Sequence, residues 1–198
     1  MNNLDIRKVK EVFARIFVLA FQNKMNFRAF TNNLERSELA TKIEKSQYDD
    51  YFNKPIEQIF FDITNKIIEK DTSFGFFYDA YWCGYSYFEL QNRTNKSFAF
   101  IFLKLTLEKM VDLYPVYHEM DFSSLLQEFN QLNEEKTILR LLCEDKKCSL
   151  QKLSSEIEIS KTTLSKYNAS DEALYKGSFQ AIYKIATYFD TPVSMFRI

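Results

Sequence analysis

The chain is 198 residues long and 46% apolar, enough to bury a sizeable core in one large domain or two small ones. Only three Gly and three Pro leave few turn signals, which argues against a many-stranded sheet and for helices on short connections. The formal net charge of -1 excludes a uniformly basic surface, so any attraction to nucleic acid must come from local charge.

In chain order, Val9, Val12, Phe13, Ile16, Phe17, Ala20 and Phe21 fall at helical spacing and predict an opening amphipathic helix. Its polar side is not markedly basic, so the stripe is read as facing a core rather than a membrane surface. A shorter helical region is expected over Phe27 to Lys45. A clearer helix is expected from Asn53 to Lys70, with Pro55 in its first turn and Ile56, Ile59, Phe60, Ile63 and Ile67 on one face.

Twelve aromatic residues then lie between Phe74 and Phe102. They read either as core or as a recognition surface, and both readings can hold for different residues. Tyr78, Tyr85 and Tyr87 are the expected partner-facing set, because their hydroxyls make partial exposure cheap; Phe77, Trp82 and Phe88 are expected inside. Phe98 to Leu105 alternates poorly and stays open between buried helix and strand. Pro115 is expected to end a helix at Tyr114, with Asp121 capping the next and His118 in the connection.

His118 has no second metal ligand or nucleophile beside it, and the chain carries no Gly-rich phosphate loop or His-Glu-x-x-His pair, so no enzyme, metal or cofactor is expected. Cys83, Cys143 and Cys148 are too few for a disulfide framework and read as packing residues of a cytoplasmic protein. No apolar run of membrane-spanning length and no secretory signal occurs.

Composition turns polar at Gln131 to Glu135, which sets an expected boundary between a helical part, 1–132, and a C-terminal part, 133–198. In the latter, Leu150, Leu153 and Ile157 keep helical phase, Ile159 breaks it, and Leu164 opens a second period. Ser149 and Ser160 stand where each helix needs an N-cap. The polar side of the second helix is Lys161, Thr162, Ser165 and Lys166, a mix of amines and hydroxyls suited to a major groove. Lys146 to Lys166 holds five lysines against Glu156 and Glu158, whereas residues 1 to 133 hold 16 basic and 18 acidic side chains.

Leu150, Leu153, Ile159, Ser160, Thr163, Leu164, Ser165 and Tyr167 resemble the Cro and C1 repressor type of helix-turn-helix, and Tyr183 to Phe196 is similar to that family's fourth helix and the start of its fifth. Ser154 replaces the family's small alanine, Glu158 its turn glycine, and Tyr167 to Phe179 is a longer link. The resemblance implies a mostly α chain with a five-helix C-terminal domain that binds an operator in double-stranded DNA as a homodimer, through Gln151, Lys152, Ser160, Lys161, Thr162, Thr163, Ser165 and Lys166. Tyr81-Trp-Cys-Gly-Tyr85 and Tyr114 to Asp121 also resemble small bacterial antitoxin-type proteins. That implies a toxin from an adjacent gene as partner and repression of the chain's own operon. The alternatives are a phage or mobile-element repressor, and an interaction module whose helix-turn-helix has lost DNA.

Overall fold

Helix starts in this chain are marked by polar side chains rather than by Gly and Pro. In the computed structural model, which describes residues 6–68 and 77–196 with backbone alone at 133–135, ten of thirteen α-helices open on a Ser, Thr, Asn or Asp that accepts from a first-turn N–H. Each such cap is worth about 1 kcal/mol, so the scarcity of Gly and Pro costs the chain no definition at its helix starts. The helices are α1 Ile6–Gln22, α2 Phe27–Glu35, α3 Glu38–Glu44, α4 Ile56–Thr64, α5 Tyr78–Thr94, α6 Phe98–Lys104, α7 Leu107–Tyr117, α8 Phe122–Glu135, α9 Ile138–Asp145, α10 Leu150–Ile157, α11 Lys161–Ala169, α12 Asp171–Tyr175 and α13 Phe179–Phe189. Two 3-10 turns, Asp50–Asn53 and Val193–Phe196, complete the described residues, which contain no strand. None of these helices is long and apolar enough to cross a membrane.

Two helices stop on the same tripeptide. Thr64-Asn65-Lys66 and Thr94-Asn95-Lys96 each put Asn in the left-handed conformation, at φ 53 and 54. Each Asn N–H donates to the carbonyl four residues back at 2.8 Å. The Thr hydroxyl donates to its own i−4 carbonyl and accepts from the Lys N–H. Asn tolerates this conformation better than most residues, so it ends a helix where Gly otherwise would. For α4 this corrects the expected helix to Lys70: it ends at Thr64, and Ile67, expected on the buried face, is 83% exposed. Residues 69 and 70 lie outside the described residues.

The core is built on α1 against α5. Glu11 meets Tyr81, Ala14 meets Gly84 and Phe17 meets Tyr87, a constant offset that makes the two helices parallel. At their closest approach a Cβ on Gly84 would stand 2.7 Å from Ala14 Cα, so only glycine lets the backbones meet. Phe13, Phe17, Phe30, Tyr87, Phe98 and Phe102 fill the space alongside in stacked, tilted and edge-on pairs. Phe98 to Leu105, left open between helix and strand, is the short helix α6 and its cap. Phe98, Ala99, Phe100, Ile101, Phe102, Lys104 and Leu105 are all buried, and a helix buried all round has no polar phase to read.

The expected stop at Tyr114 is also corrected: α7 runs through Pro115 to Tyr117. Pro115 lacks one N–H, but the next turn closes with His118 N–H donating to Tyr114 O at 3.1 Å, and Tyr117 packs against the core. The region over Phe27 to Lys45 is two helices, α2 and α3, divided at Arg36 and Ser37. α8 continues across the compositional shift at 131–135. One continuous apolar core includes residues on both sides of it, because α6 packs on α8, on α9 and on the turn Val193–Phe196. Arg28 pairs with Asp145, and Arg36 with Asp190 at 3.0 Å.

Candidate nucleic-acid interface

Three residues, 158 to 160, join α10 to α11. Ser149 accepts from Lys152 N–H and Ser160 from Thr163 N–H, so both helices start on hydroxyl caps. Between them Glu158 holds the left-handed conformation at φ 54, where the family pattern has glycine. Two side chains support it. Ser154, which stands in place of alanine, donates from Oγ to Ile159 O at 2.7 Å and ties α10 across the turn. Lys184 of α13 brings its Nζ to 3.4 Å from Glu158 Oε2. Leu153, Ile157, Leu164 and Tyr167 are buried and seat the pair of helices on α9, α12 and α13.

The longer link after α11 is itself folded. α12 occupies it with Leu174 buried, and Gly177 lies where a Cβ would stand 2.9 Å from the Tyr167 hydroxyl. Asp171 accepts from the Ile138 N–H at 2.7 Å, and Thr137 donates to Asn168 O at 3.0 Å, so the far end of α11 is fixed to the start of α9. Burial raises the Asp171 carboxyl above its ordinary value. Lys104, buried in α6, donates to Lys136 O and stands 3.9 Å from Asp171.

The expected groove-facing residues are distributed as follows. Lys161, Thr162, Ser165 and Lys166 are exposed on one side of α11, opposite Leu164 and Tyr167. Gln151 and Lys152 are exposed in the first turn of α10; Ser160 is exposed, and half-buried Thr163 turns its hydroxyl to Ser160 Oγ at 2.9 Å. Lys152, Lys161 and Lys166 pair with no carboxylate among the described residues, whereas Lys10, Lys42, Lys136, Lys176 and Lys184 all do. Three cations without carboxylate partners give this corner a local positive charge that the net charge denies the whole.

The expected partner-facing tyrosines do not form one surface. Tyr78 is 68% exposed, Tyr85 is half-buried under Lys10, and Tyr87 is fully buried. Tyr87 therefore has to be moved from surface to core: it lies between Phe17 and Phe102, and its hydroxyl is satisfied by Leu105 O at 2.9 Å. Phe88 is buried as expected, while Phe77 and Trp82, expected inside, are half-buried, Trp82 edge-on to Tyr114. Phe74 and Phe76 lie outside the described residues. His118 stacks on Tyr114 at the surface, and no three potential metal ligands cluster among the described residues. Missed in the sequence was a second aromatic pair, Phe179 and Tyr183, which are 63% and 55% exposed on α13. Only Tyr183 gave a phase signal, standing out of register with Ile182 and Ile185; Phe179 keeps i+3 and i+7 spacing to Ile182 and Ala186, and its exposure comes from its place at the first residue of α13.

No protein-family model matches the chain, and no curated protein or solved structure matches it significantly.

Proposed function

We propose that this chain is a sequence-specific DNA-binding transcriptional regulator in which residues 133–198 form a helix-turn-helix unit that reads an operator. In this reading residues 1–132 set that unit's position, and a second copy occupies the other half-site, because one helix-turn-helix buries too little DNA surface for tight binding. The observation that carries it is the side of α11 bearing Lys161, Thr162, Ser165 and Lys166. These four are exposed opposite a buried anchor, and neither lysine is neutralised by a carboxylate among the described residues. Amines there reach phosphates and hydroxyls reach base edges, the division of labour that groove recognition requires. An antitoxin role adds a protein partner to this. With Tyr87 in the core, the three tyrosines expected to capture that partner are reduced to Tyr78 and part of Tyr85, so the proposal stops at DNA.

An electrophoretic shift with the DNA upstream of the chain's own gene tests it. Lys161→Ala with Lys166→Ala should weaken binding and leave the helical spectrum intact. The plot of log affinity against log salt should flatten by about two units, roughly 0.9 for each lost phosphate contact. A double variant that binds as the wild type does, with the same salt slope, would sink the assignment.

A further inference from the structure

The connection from α9 to α10 brings two thiols together. After α9, Lys147 takes the left-handed conformation at φ 51, its N–H donates to Glu144 O at 3.2 Å, and the Cys148 N–H donates to Cys143 O at 2.9 Å. This is a Schellman ending, which folds the side chain after the left-handed residue onto the side chain five positions earlier, here the third-last residue of the helix, usually one hydrophobe on another. Here both are cysteines, both reduced, and the backbone bond from Cys148 N–H to Cys143 O brings the two residues side by side. Cys143 is buried and Cys148 half-buried, and both pack against the apolar core together with Tyr188 of α13.

We propose that Cys143 and Cys148 are a reversible redox pair that closes to an intramolecular disulfide on meeting a low-molecular-weight disulfide. The accessible Cys148 thiolate attacks one sulfur of the reagent, RSSR, and expels RS⁻, leaving RS on Cys148 as a mixed disulfide. Cys143 gives up its proton, attacks Cys148 Sγ and expels the second thiolate. In sum two protein thiols are oxidised, one RSSR is reduced to two RSH, and no other reactant is needed. The order of attack follows from the surroundings. Burial, and then the neighbouring Cys148 charge, push the Cys143 thiol up to about 12, so Cys143 is the resolving group and not the first nucleophile. Once Cys148 carries the mixed disulfide its charge is gone, which eases deprotonation of Cys143 at the step that needs it. The finished bond ties the end of α9 to the residue before the Ser149 cap of α10, and this chemistry holds whether or not the chain binds DNA.

Glutathione disulfide added to the full-length, folded protein tests the pair by intact mass and non-reducing peptide mapping. The wild type should lose about two mass units and yield a linkage of Cys143 to Cys148 within one chain, reversed by excess reduced glutathione. Cys143→Ser should instead retain glutathione on Cys148, and Cys148→Ser should take up none. A stable glutathione adduct on wild-type Cys148, an exclusively intermolecular linkage, or no reaction at all would each overturn the proposal. The wild-type result stands even where a variant fails to fold.

Discussion

At the scale of single residues, Glu158 is where local conformation and side chain disagree most openly. Seven described non-glycine residues hold positive φ, two of them Asn, and no described glycine does. Glu158 is the one in the turn between α10 and α11. A non-glycine side chain there costs roughly 1 kcal/mol, and its ion pair to Lys184, with Glu158 85% exposed, returns about 0.5 kcal/mol at most. Glu158→Gly should therefore raise stability by about 0.5 kcal/mol, seen as a higher urea midpoint at unchanged slope. A lower midpoint would mean that the Lys184 contact outweighs the backbone strain. The left-handed site was legible because the family pattern puts glycine there. Lys184 was not, since its approach is set by packing of α13. Tyr87 failed for a related reason: α5 carries aromatic rings on every side, and the carbonyl that satisfies the hydroxyl comes from Leu105, 18 residues later.

At the scale of elements, the α1–α5 contact sets two effects of glycine against each other. Gly84 sits inside a helix, where alanine would gain about 1 kcal/mol from propensity alone. Its added methyl would, however, stand 2.7 Å from Ala14 Cα and 3.1 Å from Ala14 O, backbone atoms that cannot rotate away. Forcing such a contact apart costs roughly 1–3 kcal/mol, so Gly84→Ala should be net destabilising and lower the melting temperature by several degrees. A variant as stable as wild type would show that α1 and α5 do not pack this closely. The starts of α8, α10 and α11 were legible because their caps, Asp121, Ser149 and Ser160, are local. The ends of α4 and α7 were not: Asn65 stops α4 within an unbroken apolar stripe, and α7 passes Pro115 because one lost N–H is cheap in a last turn held by Tyr117.

At the scale of the whole molecule, the polar shift at 131–135 marks a change of composition, while the packing crosses it. Nothing periodic in α6 announces that it will lie on α9, because long-range contacts leave no local pattern. Where α2 and α6–α7 face α9 and α13, a cleft of about 780 Å³ opens, with Glu35, Lys104, Phe189 and Met195 on its walls. Burial, with the Glu44 and Asp190 charges adding and Arg36 opposing, raises the Glu35 carboxyl to about 7 from an ordinary 4.5. Below pH 4.5 Glu35 is neutral folded and unfolded alike. Between 4.5 and 7 the unfolded chain releases this proton and the folded chain keeps it, so stability contributed by neutral Glu35 is lost as pH rises through that window. Glu35→Gln keeps a neutral side chain at every pH. Its stability relative to wild type should therefore climb from pH 4.5 to 7 and level off above, by on the order of 2 kcal/mol after solvent screening is discounted. Urea unfolding of both proteins from pH 4 to 8 measures this difference directly, and the subtraction removes Asp171, which burial also raises and which does not act on Glu35. A difference that stays flat across the window would mean that water reaches Glu35 freely, and that α2 does not close against the end of α13 as the Arg36–Asp190 pair requires.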